Sequence, residues 1–389
     1  MAQNKLPEGW KGLKLGEIAE FINGRAFKPT EWERTGKIII RIQDLTGNIE
    51  NPNYTTKSFA KKYLVKKGDL LISWSATLDA FIWNKEYGWL NQHIFKVVEK
   101  SNIVNRKFLF YLVKTKIAEM KKNTHGSTMK HITKKDFESI KIILPPVSIQ
   151  EKIVSVLEKA EQAKQWRKEA DELTKEFLKA VFMEMFGDPL KNDGKMPMKT
   201  FDKISLKITD GEHSTPQRTT SGIYLLSARN IHDHEIRLDD VDFIDNKEYD
   251  RISKRIIPQI GDILVSCSGS VGRVTRVKNS FKFQMVRSVA LIRPNSEIIN
   301  PIYLEYSISS MYIQKQILSL INQSSQANLF QGQIKKLVTF MPPIEIQNKF
   351  ASIVKEVEQL KEQQMKSREH LENLFNALMQ KTFKGELVV

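Results

Sequence analysis

The sequence predicts an α+β protein made of two pseudo-repeated globular units joined by two long helices that pair as an antiparallel coiled coil. Three observations predict it. First, Leu144-Pro145-Pro146-Val147-Ser148-Ile149-Gln150 opens one long helical run, and Met341-Pro342-Pro343-Ile344-Glu345-Ile346-Gln347 opens another at an offset of 197. Upstream, Gly68-Asp69-Leu70-Leu71-Ile72-Ser73 matches Gly261-Asp262-Ile263-Leu264-Val265-Ser266 at an offset of 193, and Arg41-Ile42-Gln43-Asp44-Leu45 matches Ser227-Ala228-Arg229-Asn230-Ile231 at 186. Ile132 matches Leu329, and Phe186 matches Phe383. A repeat at this scale decides the architecture before any local propensity does. Second, both helical runs carry an apolar seam at 3-4 spacing. Third, the net charge of +16 is unevenly divided: residues 1–143 carry +12 and 187–340 carry +5, whereas 144–186 and 341–389 carry −1 and 0.

In order along the chain, residues 1–143 form the first unit. The runs Lys37-Ile38-Ile39-Ile40-Arg41-Ile42 and Asp69-Leu70-Leu71-Ile72-Ser73-Trp74 read as strands, and 107–122 reads as a helix. Residues 144–186 form a central helical spacer, helical from 149 to 186. Its prolines force an extended entry and Gly187-Asp188-Pro189 stops it. Residues 187–340 form the second unit, opened by a linker over 187–199. Its strands are Asp262-Ile263-Leu264-Val265-Ser266 and Ser288-Val289-Ala290-Leu291-Ile292, followed by a helix over 301–321. Residues 341–389 form the C-terminal spacer, helical from 346 to 383.

The seam of the second helix runs Ile346, Phe350, Ile353, Val357, Leu360, Gln364, Ser367, Leu371, Leu374, Leu378; that of the first runs Ile149, Ile153, Val156, Ala160, Ala163, Arg167, Ala170, Thr174, Phe177, Val181. Both are apolar at the ends and polar or small in the middle. A globular unit separates them in the chain, so antiparallel pairing is the natural closure, with Arg167 near Gln364 expected to fix register rather than add stability. At ~1.5 Å per residue each rod would be ~57 Å long, more than one ~34 Å turn of B-DNA. The pairing and docking positions expected from the seams are Ile149, Ile153, Val156, Phe177, Phe350, Ile353, Val357, Leu360, Leu371, Leu374 and Leu378; Val154, Leu157, Trp166, Leu173 and Met183 on one helix and Val354, Phe375 and Met379 on the other widen the apolar face.

The charge partition suggests globular parts that meet a polyanion and helices that meet protein. The single cysteine, Cys267, excludes an intramolecular disulfide and a multi-cysteine zinc site. No apolar run approaches the ~18 residues of a membrane span, and Met1-Ala2-Gln3-Asn4-Lys5-Leu6-Pro7 lacks the apolar core of a signal peptide. A cytoplasmic protein without a membrane partner is expected.

Polar tips follow the strands. In the first unit these are Arg41 and Gln43; Trp74, Ser75 and Thr77; Gln92 and His93; and Ser127, Thr128, Lys130 and His131. In the second they are Arg229 and Asn230; Ser268, Ser270 and Arg273; Gln284 and Arg287; and Ser324, Ser325, Gln326 and Asn328. Such side chains can pair with base edges or hold phosphates. Their recurrence at matched places with different identities suggests two similar readers with different lettering. Lys61, Lys62, Lys66 and Lys67 form a cluster suited to phosphates.

No catalytic set stands out. Gly269-Ser270-Val271-Gly272-Arg273 lacks the lysine and hydroxyl of a phosphate-binding loop, and Leu144 and Met341 precede the Pro-Pro pairs where an amino-methyltransferase would place Asn or Asp. His232-Asp233-His234 lacks the placed partners of a metal site. The residues favour a reader over a catalyst and predict no metal or cofactor on this chain.

Repeated basic units, each ending in Leu144-Pro145-Pro146 with Gln150 or Met341-Pro342-Pro343 with Gln347, together with the two Gly-Asp strands and Phe186-Gly187-Asp188-Pro189, resemble the specificity subunit of type I restriction-modification systems over essentially the whole chain. One departure is that Ile149 and Ile346 precede the glutamines, where the family more often has an acid. The resemblance implies two target-recognition domains, each reading half of an asymmetric, interrupted site in double-stranded DNA. It implies helical spacers that set the gap and dock two adenine-methyltransferase subunits, and separate restriction or motor subunits. S-adenosylmethionine, ATP and Mg2+ would sit on those partners. A targeting module of another defence complex, or a helical scaffold without a DNA role, stays open beside it.

Overall fold

The computed structural model describes residues 6–47, 51–75, 77–100, 102–123, 133–187, 196–321 and 328–386. The chain forms two compact units. One holds the chain up to Lys168 together with the stretch from Lys366 onward; the other holds Glu169–Met365. The division cuts through both long helices, so each unit contains half of each.

In the first unit an antiparallel sheet runs in the order Ala19–Asn23, Ile94–Glu99, Leu70–Ser73, Asp79–Ile82. A second sheet runs Tyr54–Thr55, Lys37–Ile40, Gly88–Leu90, Leu64–Val65, with its middle pair parallel. Lys11–Lys14 pairs with Lys141–Leu144, which delivers the chain into the central helix. The second unit repeats this plan. Its four-stranded sheet is Ser205–Asp210, Val289–Pro294, Ile263–Ser266, Val274–Arg276. A companion sheet is Asp242–Ile244, Ile223–Leu226, Phe283–Met285, again with one parallel pair. Met198–Thr200 pairs with Val338–Phe340, so the end of the expected linker is a strand.

The Gly-Asp repeats show why these strands read as unbroken apolar runs. All of Leu70, Leu71, Ile72 and Ser73 are buried. Side chains alternate across a strand, and here both faces are covered. Leu70 and Ile72 join the core beneath the helix Arg106–Asn123, whereas Leu71 joins the core against the second sheet. Ile263 and Val265 against Leu264 repeat the division. Gly68 and Gly261 open the strands at φ +89° and +92°, a left-handed conformation that costs glycine little. The next carboxylate accepts the backbone N–H three residues back: Asp69 from Lys66 at 2.9 Å and Asp262 from Gln259 at 2.8 Å.

The long helices are Val147–Phe186 and Ile344–Phe383, starting two residues earlier than the periodicity predicts. Within the second unit Gln364 donates to the Thr174 hydroxyl at 3.0 Å, and the Phe182 and Phe350 rings lie 5.4 Å apart. Residue numbers rise on one helix as they fall on the other, which makes the pair antiparallel. In the first unit Lys164 pairs with Glu372 at 2.8 Å and lies over the Phe375 ring. The far end of each helix enters the core of the opposite repeat: Leu178, Phe182 and Phe186 in the second unit, Met379 and Phe383 in the first. The helix expected over 301–321 is two helices, Pro301–Ser309 and Met311–Ile321, because Ser310 turns to extended backbone at ψ 149°. The strand expected over 37–42 ends at Ile40, and a short helix Ile42–Thr46 follows.

Candidate nucleic-acid interface

Matched tips converge at one end of the paired sheets in each unit, held there by the same backbone hydrogen bonds. Asn91-Gln92-His93 is a three-residue turn between strands in the first unit, and Val286-Arg287-Ser288 is its counterpart at an offset of 195. The Asn91 N–H donates to Ile40 O, as Val286 does to Leu226 O. Gln92 donates to Arg25 O, as Arg287 does to Glu212 O. The carbonyls of His93 and Ser288 accept from Trp74 and Cys267. Gly24 and Gly211 donate to the first residue of the following strand, Ile94 and Val289. These bonds gather the segments around 23–25, 41–44, 74–77 and 91–93 in one unit, and those around 210–214, 227–230, 267–273 and 286–288 in the other.

Two features of these edges escape the reading of polar tips. An added Cβ at Gly24 would lie 1.9 Å from Asn91 O, and one at Gly211 would lie 2.4 Å from Val286 O. Only glycine admits this approach. The signal was present as Asn23-Gly24 and Asp210-Gly211, each directly after a strand at an offset of 187. The serines ending the Gly-Asp strands are also structural. Ser266 Oγ donates to Ser270 O at 2.5 Å and accepts from the Arg273 N–H at 2.9 Å; Ser73 Oγ donates to Thr77 O and accepts from the Asp79 N–H at 3.2 Å.

Several predicted site residues stand on these edges. Trp74 is half-buried, its indole N–H donating to Asn23 Oδ1 at 3.3 Å and its ring meeting His93 edge-on at 4.9 Å. His93 itself takes a left-handed backbone, φ 70°. Ser75 and Ser268 are half-buried, and Thr77, Ser270, Gln43, Gln92 and Arg287 are exposed. Arg273 is half-buried where the first unit has Asp79. Asn328 is half-buried beside Leu329, whose N–H donates to Cys267 O at 2.9 Å. Burial pushes the Cys267 thiol up to about 12. Ser127, Thr128, Lys130, His131, Ser324, Ser325 and Gln326 lie outside the described residues.

Other predicted readers are occupied. Gln284 is fully buried; its amide donates to Ser253 Oγ at 2.9 Å and to Ile256 O at 3.0 Å. It is the counterpart of Trp89 in the buried partner strand, so it is a core residue and no reader. Asn230 is 1% exposed and is spent locally: Oδ1 accepts from Ser227 N–H at 2.9 Å, and the amide donates to the carbonyls of Arg237 and Asp240. Asp44 plays the same role for Arg41 at 2.8 Å. Arg41 also donates to Asn51 O at 2.6 Å, and Arg229 pairs with Asp242 at 3.0 Å.

The four lysines do not form one patch. Strand Leu64–Val65 pairs antiparallel with Gly88–Leu90, which places Lys61 and Lys62 toward the Asn91 end and Lys66 and Lys67 toward the opposite one. The His232-Asp233-His234 segment is a structural loop in the second unit. His232 Nε2 lies 3.2 Å from Arg229 O, and Asp233 accepts the Val274 N–H at 3.1 Å. His234 stacks on Tyr306 at 4.2 Å and meets the buried Glu305 at 3.1 Å. Glu305 also pairs with Arg276 at 3.3 Å, and Arg276 pairs with Glu358 of the C-terminal helix at 3.2 Å. No group of three or more metal-ligating side chains occurs among the described residues.

On the helices, Ile153, Phe350 and Val357 are buried in the cores of their own units, so they cannot serve as outward docking positions. Ile149, Val156, Ile353, Leu371 and Leu378 are half-buried. Phe177, Leu360 and Leu374 are 44–50% exposed, and Trp166 and Leu173 more so, at 62% and 71%.

Comparison with known proteins agrees with this plan. Residues 7–173 and 227–373 match the family described as type I restriction modification DNA specificity domain. The EcoBI specificity subunit of Escherichia coli is 26% identical, the alignment covering 98% of this chain and 86% of that protein. The MjaVIII specificity subunit of Methanocaldococcus jannaschii is 22% identical over 99% and 94%. Among solved structures, a chain from a type I R-M system assembly superposes with a TM-score of 0.65 at 17% identity, covering 98% of this chain and all of the other. The S subunit of a type I system from M. genitalium gives 0.57 at 14%, covering 98% of each. No described helix is long and apolar enough to cross a membrane.

Proposed function

The chain belongs to the family of type I restriction-modification DNA specificity proteins, and from that premise we propose that it is the address-reading subunit of a modification and restriction complex. Each unit would read one half of an interrupted, asymmetric site in double-stranded DNA. The observation that carries this is the duplicated edge. One hydrogen-bonded frame recurs in both units, while the side chains mounted on it differ: exposed Gln92 against exposed Arg287, and half-buried Asp79 against half-buried Arg273. A scaffold kept constant under changing polar side chains suits two readers of different sequences.

The antiparallel long helices would set the unread gap and dock two adenine-methyltransferase subunits. Trp166, Leu173 and Phe177 support that role, because large apolar side chains this exposed on near-neutral helices suit a protein partner. Methyl transfer with S-adenosylmethionine, and ATP- and Mg2+-dependent translocation and cleavage by restriction subunits, would belong to the partners.

Methylation mapping of the source genome with and without this gene tests the reading. Loss of one two-part adenine motif on deletion is expected. An unchanged methylome would remove the modification role and leave a DNA-binding module of another assembly.

A further inference from the structure

We propose that Gln92 and Arg287 are equivalent letter-reading positions, one in each unit, with Arg287 taking a guanine and Gln92 an adenine in the major groove; this rests on the address-reading function above. Both residues occupy the centre of the three-residue turn that four equivalent backbone hydrogen bonds hold in place. The glycine packed against each turn has no room for a Cβ. The same four bonds therefore hold the central position in both units, although His93 after Gln92 is left-handed at φ 70° and Ser288 after Arg287 is not, and the residue at that position is free to vary. Both side chains are exposed, and neither has a hydrogen-bond or ion-pair partner.

Freedom is unusual for an arginine here. Of the nine arginines in residues 187–340, seven are ion-paired: Arg218, Arg229, Arg237, Arg251, Arg255, Arg276 and Arg293. Of these nine, all among the described residues, Arg273 and Arg287 are the two without a carboxylate. The position of Arg273 is held by Asp79 in the first unit, a residue that phosphates repel, so it is no shared contact point. At the turn, by contrast, both units carry a side chain with a two-point partner on a purine edge. The guanidinium donates twice to guanine O6 and N7, and the carboxamide exchanges two hydrogen bonds with adenine N6 and N7. A guanidinium at one position and a carboxamide at the other fits letter reading, which changes with the half-site, better than phosphate holding, since the phosphate backbone is the same under both units and gives no reason for the two to differ.

The test uses the chain assembled with its modification subunits in a host free of other adenine methylation, with the host genome as the DNA probe. Arg287→Gln should relax or change a single base pair in one half-site, lowering discrimination there about tenfold to a hundredfold. The other half-site and the gap should stay intact. Gln92→Ala should do the same in the other half. Arg287→Lys separates base from phosphate: a letter reader loses part of its preference, whereas a phosphate contact keeps full rate and unchanged letters. The proposal is overturned if Arg287→Gln leaves the letters unchanged or weakens methylation evenly at all sites. Unfolding of that variant would also overturn it, by making the side chain structural. If the unaltered complex yields no two-part motif, the address-reading function itself fails, a result visible before any variant is made.

Discussion

The side chain of Gln347, fully buried in the first turn of the C-terminal helix, accepts the backbone N–H of Asn300 at 2.8 Å. Asn300 in turn caps the helix Pro301–Ser309, its Oδ1 accepting from Ile302 N–H at 2.9 Å. The Gln347 amide donates back to Pro342 O at 2.8 Å. Gln150 does the same in the first unit, accepting from Asn105 at 2.7 Å and donating to Ile103 O and Pro145 O at 2.8 Å. The paired Pro-Pro-x-x-x-Gln signature is thus a clamp between each long helix and the start of an earlier helix of its own unit, Arg106–Asn123 or Pro301–Ser309. Burying an amide is tolerable here because its oxygen and its nitrogen each have a hydrogen-bond partner in both units.

Gln347→Leu keeps the bulk and removes the clamp, leaving the Asn300 N–H without its acceptor. A loss of about 1–3 kcal/mol is expected, read as a lower urea midpoint, with the methylation motif unchanged. A midpoint equal to wild type would show that the clamp is dispensable.

Acid should unfold the chain partly through Glu305. Burial acts to raise this carboxyl, but the His234 hydrogen bond and the charges of His234, Lys278 and Arg276 override it and hold it below its ordinary value of 4.5. A depressed carboxyl stabilises the fold above the unfolded value and loses that contribution as pH falls below about 4.5. Urea midpoints measured from pH 7 to 3.5 should therefore drop less steeply for Glu305→Gln than for the wild type. Equal slopes would remove Glu305 from the acid response.

Neutralising Lys61 and Lys62 should weaken DNA binding evenly across sequences and reduce the salt slope by about one per lost phosphate contact. Lys66 and Lys67, on the opposite end of the strand pair, should have little effect. Equal losses from both pairs, measured as affinity against salt concentration, would place the DNA across both ends.

Leu173→Asp and Phe177→Asp should lower co-purification of the modification subunit while leaving duplex binding by the chain itself unchanged. Both residues are at least half exposed, so folding should survive. Normal retention of the partner would move the docking face elsewhere.

A heptad inserted after Arg167 alone displaces the pairing of Thr174 with Gln364 relative to that of Lys164 with Glu372. Methylation should be lost. A matching heptad in the C-terminal helix restores the pairing and should lengthen the unread gap by about three base pairs, since seven residues rise ~10 Å. Methylation mapping decides it; altered half-site letters would count against a spacer role.

By itself the sequence determined the duplication, the two helices to within two residues at their starts, their antiparallel pairing and the buried Gly-Asp strands. Each of these is written in spacing and periodicity, which survive without knowledge of contacts. Only the tertiary structure decided which polar residues are free. Gln284 and Gln92 are the same residue type, yet one faces a buried strand partner and the other sits exposed on a pinned turn. Asn230 looks like a reader and is a capping group, and the seam positions Ile153 and Phe350 are also enclosed by the core of their own unit. The reason is physical: a side chain's chemistry is local, but whether its hydrogen bonds and surface are already taken depends on segments that only the fold brings beside it.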